Sequence, residues 1–134
     1  MTDNYKLKKI LITGGSGMVG RNFFEHHKSK IYSILRPSRT EMNLLNFQEV
    51  DNYLLKNKPD IIIHAAARVG GIQANIKNPI LFLCENADMG KNLLLAAKKQ
   101  NINTPGCYNL NELFKKAIDK GYGDLYFPVI KKIL

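Results

Sequence analysis

The sequence predicts an α/β fold built on a parallel sheet, and three observations support this. Short apolar runs alternate with longer segments of helical periodicity, which is the pattern of strands joined by helical crossovers. A glycine-rich turn directly follows the first apolar run. The length of 134 residues suits one domain with one hydrophobic core. We therefore expect a sheet of about four parallel strands in the order 3-2-1-4, followed by C-terminal helices.

Four apolar runs predict the strands, because each has the length of a strand buried in a parallel sheet. They are Lys9–Thr13, 31–35, 42–45 and 60–67, the last of which is built on Ile61, Ile62 and Ile63. Three segments with apolar residues at helical spacing follow the first, third and fourth strands: 18–28, 47–57 and 79–100. Pro79 suits the first turn of the last helix, where the missing amide hydrogen would be unpaired anyway. Residues 69–72 are expected to form a loop.

The character of the sequence changes after Asn101. Residues 103–106 are turn-forming, and Asn109 can cap a helix over 110–120 with Glu112 at its third position. Gly121 is expected to end this helix. The prediction is therefore one α/β unit over 1–102 and a helical tail over 103–134 that is not an independent domain.

The glycine-rich turn carries the strongest functional signal. Gly14, Gly17 and Gly20 are spaced three apart, directly after a strand and directly before a helix. In a Rossmann-type fold the first glycine allows a sharp turn, the second lets backbone amides approach a pyrophosphate, and the third lets helix and strand pack closely. The free amides and positive dipole end of the helix then face the phosphates. The alternative is a glycine-rich turn without a ligand.

The second predicted strand ends at Leu35, and Arg36 follows it. A site that prefers NAD places Asp or Glu near this point, whereas an arginine accommodates the extra phosphate of NADP. The sequence therefore predicts NADP as the cofactor, and the alternative is a surface arginine beside a turn.

Composition narrows the class of protein. The net charge of +9 suits an anionic ligand such as a nucleotide, and also nucleic acid. The lysines are scattered in pairs rather than gathered in a basic run, so we expect a solvated surface and no nucleic-acid partner.

No apolar stretch approaches the ~20 residues of a membrane span, and the N-terminus lacks a signal core. Cys84 and Cys107 have no metal-binding spacing, and Cys84 is expected to be a buried thiol. These features predict a cytoplasmic protein without a metal site or membrane contact.

Residues 8–102 resemble the N-terminal part of GDP-L-fucose synthases, which are extended short-chain dehydrogenases/reductases of the NAD-dependent epimerase/dehydratase family. The resemblance lies in residues 12–20, 41–46, 59–67 and 69–72, with Asn75, Pro79 and Asn86. The Val-Gly-Gly-Ile stretch at 69–72 is more specific than the glycine loop.

The resemblance also implies a role for each candidate site residue. The loop would hold the pyrophosphate of NADP, Arg36 and Arg39 would meet its 2′-phosphate, Asn43 and Leu44 would border the adenine, and three alanines would lie under the nicotinamide ribose. The alanines are equally consistent with strand-end packing, and His64 is expected to pack in or near the core without chemistry. The complete set is Gly14, Gly15, Ser16, Gly17, Met18, Val19, Gly20, Arg36, Arg39, Asn43, Leu44, Ala65, Ala66 and Ala67.

The family pattern stops after Asn101. GDP-L-fucose synthases continue with a strand that ends in a catalytic serine, a Tyr-x-x-x-Lys pair and a sugar-binding region, and no residue after Asn101 matches these. The pair Tyr5 and Lys9 has the spacing but precedes the first strand. We therefore expect a truncated family member and assign no catalytic residue. Residues 110–134 resemble the C-terminus of 3-hydroxyisobutyrate dehydrogenase-type enzymes, and the alternative is an unrelated amphipathic tail.

Three functions remain open at this point. The chain could be an enzyme that binds a nucleotide sugar when another chain completes it, and the family reaction converts GDP-4-keto-6-deoxymannose to GDP-fucose. It could instead be a dinucleotide-binding remnant, or a structural or interaction module. A related fragment with a different nucleotide-sugar substrate is a further alternative, and a homo-oligomer fits each of them.

Overall fold

A computed structural model describes residues 7–104, 112, 115, 116 and 118–121 of the chain. The chain divides into two compact units, Met1–Ile102 and Asn103–Leu134. Among the described residues, no helix has the length and hydropathy to cross a membrane.

Three parallel strands form the sheet of the first unit: β1 (Lys9–Thr13), β2 (Ser33–Leu35) and β3 (Ile61–His64). Their order is β2-β1-β3, so the chain moves from the central strand to one edge and then crosses to the other. Leu11 pairs in register with Leu35 on one side and with Ile62 on the other. This confirms the predicted α/β fold of Rossmann type and puts the carboxyl ends of all three strands at one edge.

Among the described residues up to position 104, the α-helices are α1 (Met18–Glu25), α2 (Phe47–Asn57), α3 (Ile72–Lys77) and α4 (Pro79–Lys99). The predicted bounds of β1 and α2 are confirmed, and α4 ends one residue before the predicted position. The first helix is shorter than predicted, because its chain leaves helical geometry at His26 and continues as a 3-10 helix from His27 to Ile31. The Ser29 hydroxyl stabilises this ending by donating to the Phe24 carbonyl at 2.7 Å.

The strand predicted at 42–45 is wrong, and within the described residues the sheet has three strands rather than four. Side-chain oxygens accept hydrogen bonds from the backbone amides that a strand would use to pair with its neighbour. The Asn43 amide donates to the Glu49 carboxylate at 3.0 Å, and the Leu45 amide donates to the Asn43 side chain at 3.2 Å. Asn46 then caps α2 by accepting from the amides of Gln48 and Glu49. The segment is therefore the entrance to a helix rather than a strand.

The hydrophobic core lies between one face of the sheet and the helices α2 and α4. Its buried members come from β1, the loop before α2, and the two helices: Leu11, Met42, Leu44, Val50, Leu54, Leu93, Ala96 and Ala97. Side chains alternate between the two faces of a strand, and Ile10 and Ile12 are buried on the opposite face of β1. The central strand is therefore covered on both sides, as its uninterrupted apolar sequence indicates.

Two further features differ from expectation. Of the loop predicted at 69–72, only the last residue differs, because Ile72 begins the helix α3, with Gly71 as an N-cap that offers no side chain. Cys84 is exposed rather than buried, because it lies on the half of α4 that extends beyond the core.

The described residues of the second unit are partly helical, at 112, 115, 116, 118 and 119. Gly121 has φ +75°, and its amide donates to the Ile118 carbonyl at 2.9 Å, which is how a glycine ends a helix. The predicted cap Asn109 and the rest of the tail lie outside the described residues.

Candidate functional site

A cleft of about 790 Å³ opens at the carboxyl ends of the strands, where the three βα loops meet. Parallel α/β sheets bind ligands at this edge, beside the strand where the order of connection reverses, and β1 is that strand. The volume lies within the range of about 300–1,000 Å³ that is usual for ligand pockets. The lining residues are Thr13, Gly14, Gly15, Ser16, Gly17, Met18, Val19, Pro37, Ser38, Arg39, Met42, Asn43, Leu44, Leu45, Ala65, Ala66, Ala67, Arg68, Val69, Glu85 and Met89.

Gly14 is the residue that the cleft requires most strictly. Its φ is +68°, a conformation that side chains disfavour, and a Cβ added there would lie 2.7 Å from the backbone of Ala66. The loop after β1 therefore touches the backbone that follows β3. The Ala65 amide donates to the Thr13 carbonyl at 3.2 Å and closes this contact from the strand side.

Gly17 and Gly20 shape the entrance to α1. The Gly17 amide donates to the Gly14 carbonyl at 3.0 Å, and a Cβ added at Gly20 would lie 2.5 Å from the same oxygen. Gly20 therefore allows close packing and does not line the cleft. Gly17 is the N-cap of α1, which has no side-chain cap, and the first-turn residues Met18 and Val19 are exposed. The first-turn amides are the natural partners of an anion bound in the cleft.

Thr13 links the ends of β1 and β3 beneath this loop. Its buried hydroxyl accepts from the Ala66 amide at 3.3 Å and lies 2.7 Å from Nδ1 of His64. Burial of the imidazole lowers the pKa of His64 below its ordinary value of 6.5, which favours the neutral ring. A folded-state pKa below the unfolded value means that this histidine reduces stability as the pH falls below about 6.5. His64 is the last residue of β3 and is exposed, so it does not pack in the core as expected.

The two arginines after β2 take different places. The Arg36 guanidinium stacks on the Phe24 ring, with its central carbon 3.5 Å from the ring centre, and donates to the Gly15 carbonyl at 3.4 Å. A Cβ at Gly15 would lie 2.9 Å from the Cβ of Arg36, so the absence of a side chain at Gly15 admits the arginine stem. Arg39 lines the cleft, whereas Arg36 is held beside the loop.

One wall of the cleft is the segment predicted to border an adenine. Asn43 and Leu44 both line the cleft, and Leu44 is anchored from behind by buried Asn92 of α4, which donates to its carbonyl at 2.9 Å. The hydrogen bond spans 48 positions of sequence. Sequence patterns of local spacing do not reveal such a contact.

The opposite wall is the segment after β3, which contains the three predicted alanines Ala65, Ala66 and Ala67. Beyond them, Arg68 forms an ion pair with Glu85 at 2.7 Å, and its backbone is hydrogen-bonded twice by the Asn86 side chain. Both partners lie on α4. The sequence interpretation missed Arg68 and Glu85 as cleft residues, because their proximity depends on where α4 packs.

The structure thus brings together twelve of the fourteen predicted site residues at one cleft, while Gly20 and Arg36 support it from outside. In the described part of the chain, three or more His, Cys, Asp or Glu side chains do not gather anywhere as a metal site would require.

Comparison with known proteins agrees with this arrangement. Residues 10–108, which make up most of the chain, match the model of the NAD dependent epimerase/dehydratase family. The chain belongs to this family.

Its relatives act on nucleotide sugars according to their names. GDP-L-colitose synthase from Yersinia pseudotuberculosis is 49% identical over 113 residues, which cover 84% of this chain and 37% of that protein. GDP-L-fucose synthase from Azorhizobium caulinodans is 41% identical over 99 residues, covering 74% of this chain and 32% of that protein. The chain therefore spans about a third of the length of the curated relatives it matches.

A solved structure shows the same fold. The GDP-mannoheptose C4 reductase MlghC from Campylobacter jejuni, with NADP bound, has a TM-score of 0.65 and 25% identity over 72% of this chain and 29% of that one. The predicted resemblance to GDP-L-fucose synthases is confirmed at the level of the family and of its GDP-sugar branch.

Proposed function

We propose that this chain binds NADP(H) in the cleft at the carboxyl edge of the sheet and forms the cofactor-binding part of a GDP-sugar epimerase/reductase. The observation that carries the proposal is the contact between Gly14 and the backbone of Ala66, where an added Cβ would lie 2.7 Å from two backbone atoms. Two loops that approach so closely leave an open groove lined by backbone along the edge of the sheet. An extended dinucleotide fits such a groove, because its pyrophosphate needs close approach to the backbone.

The residues of the chain divide the work of binding. The first turn of α1 supplies uncapped amides and a positive dipole end for the pyrophosphate. Asn43 and Leu44 lie on the adenine side, and Ala65 to Ala67 leave room for the nicotinamide ribose. The dinucleotide, when bound, supplies the hydride chemistry, and the protein supplies orientation and charge.

The preference for NADP over NAD is supported by the two cations after β2, Arg36 and Arg39. The acidic residue of the same turn, Glu41, does not line the cleft, and its carboxylate accepts from the amide and the hydroxyl of Ser38 at 2.8 and 2.7 Å. These hydrogen bonds hold the pKa of Glu41 below its usual value. The turn therefore offers positive charge to a phosphate, and its carboxylate is already engaged.

The proposed sugar substrate is supported by the relatives rather than by the cleft. GDP-L-fucose and GDP-L-colitose synthases share the matched region, so we propose a GDP-bound 4-keto sugar as the substrate class, with GDP-4-keto-6-deoxymannose as the first candidate. No Tyr-x-x-x-Lys pair follows β3 in the 134 residues. Proton transfer to the sugar carbonyl therefore needs residues outside this sequence, such as those of another chain.

A titration of the full chain with NADPH, followed by the fluorescence of the reduced nicotinamide, tests the proposal. The variant Gly17→Val should fold, since Gly17 has an ordinary negative φ of -73° and its added Cβ would meet only the Gly14 oxygen at 3.2 Å. It should bind NADPH at least tenfold more weakly, because the side chain would block the approach of the pyrophosphate to the backbone. The control Gly90→Ala adds a Cβ on α4 where no atom lies within 4 Å, and it should bind as the parent does. Absence of NADPH binding by the folded parent chain, or full binding by Gly17→Val, contradicts the proposal.

The same titration separates this function from its rival, an interaction module without a ligand. Exposed apolar side chains at Val69, Ile72, Ile76, Ile80 and Leu83 favour the rival, because such side chains are enriched where proteins meet partners. A folded chain that does not bind NADPH would support the interaction module. Self-association and a cytoplasmic location stay predictions, and sedimentation at several concentrations tests the first.

A further inference from the structure

Helix α4 carries two asparagines whose side chains hold backbone on opposite walls of the cleft. Asn86 accepts from the Arg68 amide at 2.6 Å and donates to the Arg68 carbonyl at 3.0 Å, so it satisfies both backbone groups of one residue. Asn92 is buried and donates to the Leu44 carbonyl at 2.9 Å. The two asparagines stand six positions apart, which corresponds to about 9 Å along a helix.

The two wall residues that these asparagines bind, Arg68 and Leu44, lie outside the sheet. Residues 65–71 follow the end of β3 without regular structure, and residues 42–45 form the loop before α2. A loop outside the ladder keeps its shape only if its backbone groups find other partners. At Arg68 and Leu44 those partners are the side chains of α4, which is itself fixed by Leu93, Ala96 and Ala97 in the core.

We infer that Asn86 and Asn92 are positioning residues, through which α4 sets the two ends of the dinucleotide cleft independently. Asn92 holds the wall at the adenine end, and Asn86 holds the wall at the nicotinamide end. This inference rests on the proposed function. It requires that loss of either side chain damages one end of the bound dinucleotide, rather than the whole site.

The experiment compares two ligands on the full chain, NADPH and 2′,5′-ADP, the second of which lacks the nicotinamide half. Asn86→Ala should weaken NADPH about three- to tenfold, as expected for lost hydrogen bonds, and leave 2′,5′-ADP within about twofold. Asn92→Ala should weaken both ligands by similar factors. Asn86→Asp keeps the acceptor for the Arg68 amide but loses the donor, so it should recover part of the NADPH affinity.

The control is Asn57→Ala on α2, which removes a comparable bond, from the side-chain amide to the Tyr53 carbonyl at 2.9 Å, away from the cleft. It should change neither affinity. Circular dichroism checks the fold of every variant, and Asn92→Ser, which keeps a hydroxyl donor in a smaller side chain, replaces Asn92→Ala if that variant unfolds.

Equal losses of NADPH and 2′,5′-ADP in Asn86→Ala overturn the inference, because 2′,5′-ADP lacks the nicotinamide half that this side chain is inferred to position. Unchanged affinities in that variant overturn it as well. Binding of neither ligand by the parent chain overturns the proposed function and this inference together, whereas the first two outcomes leave the proposed function intact.

Discussion

The two halves of α4 are similarly apolar in sequence but lie in different surroundings. Leu93, Ala96 and Ala97 in the C-terminal half are buried against the sheet and α2. Ile80 and Leu83 in the N-terminal half are 74% and 71% exposed, and that half packs against the short helix α3. Apolar spacing therefore predicts a helix but does not predict which part of the helix is buried. The C-terminal half anchors the fold, and the N-terminal half borders the cleft.

The largest expected effect comes from a matched pair of substitutions on this one helix. Leu93→Ala removes a buried side chain that is 4% exposed and should lower the free energy of unfolding by about 2–5 kcal/mol. Leu83→Ala makes the same chemical change at an exposed position and should stay within about 0.5 kcal/mol. Urea unfolding of both variants, followed by circular dichroism, measures the difference. Equal losses in the two variants would show that the N-terminal half of α4 is also part of the core, contrary to the contrast drawn here between the two halves.

The same contrast explains which parts of the structure the sequence could predict. Strand β1 and helix α2 have the predicted bounds, because local spacing of apolar residues determines both. Met42 and Leu44 are buried alternately, as in a strand, and this pattern misled the prediction at 42–45. The side chains of Glu49 and Asn43 accept from the amides of Asn43 and Leu45, so the segment is not a strand. Helix α3 lacks an N-cap side chain and gave no signal at its start.

The site divides in the same way. Gly14 and its neighbours are recognisable, because their spacing and position after a strand are local features. Asn86 and Asn92 act across 18 and 48 positions, so only the packing of α4 reveals their partners. The family resemblance includes Asn86, but its two hydrogen bonds to the Arg68 backbone have no local signature in the sequence.

At the cleft, the two arginines that follow β2 should determine the preference for NADPH over NADH. Arg36→Ala should reduce the preference for NADPH over NADH about ten- to a hundredfold, since a hydrogen bond to a charged group contributes about 1.5–3 kcal/mol. The free energy of unfolding should fall by no more than about 1 kcal/mol, because the contacts of Arg36 with Phe24 and the Gly15 carbonyl lie at an exposed position. Paired titrations with NADPH and NADH measure the ratio, and Arg39→Ala in the same series shows which arginine carries the preference. An unchanged ratio in both variants would remove these arginines from cofactor selection.

An ion pair between Asp51 and Lys99 connects the C-terminal end of α4 to α2 and should make this half of the helix sensitive to pH. Asp51 accepts from Lys99 at 2.5 Å and from Gln100 at 2.6 Å, and these hydrogen bonds lower its pKa below the ordinary value of 3.8. A carboxylate with a depressed folded-state pKa contributes stability that is fully present above about pH 4 and is lost as the pH falls through the folded-state value. Protonation of Asp51 should therefore loosen the C-terminal half of α4 in acid, while the Asn86 contact at the other half, which involves no titrating atom, keeps its strength.

Urea unfolding between about pH 5 and pH 2 tests this in the parent chain and in Asp51→Asn, which keeps the shape of the side chain without its charge. The variant should be less stable than the parent at pH 5, and the gap between them should close as the pH falls. The comparison of the two curves isolates Asp51 from other groups that titrate in acid, such as Glu41, because those are present in both proteins. A gap that stays constant over this range would mean that the carboxylate contributes no charge-dependent stability. The contact between α2 and α4 would then be stabilised by apolar packing alone, among Val50, Leu54, Leu93 and Ala97.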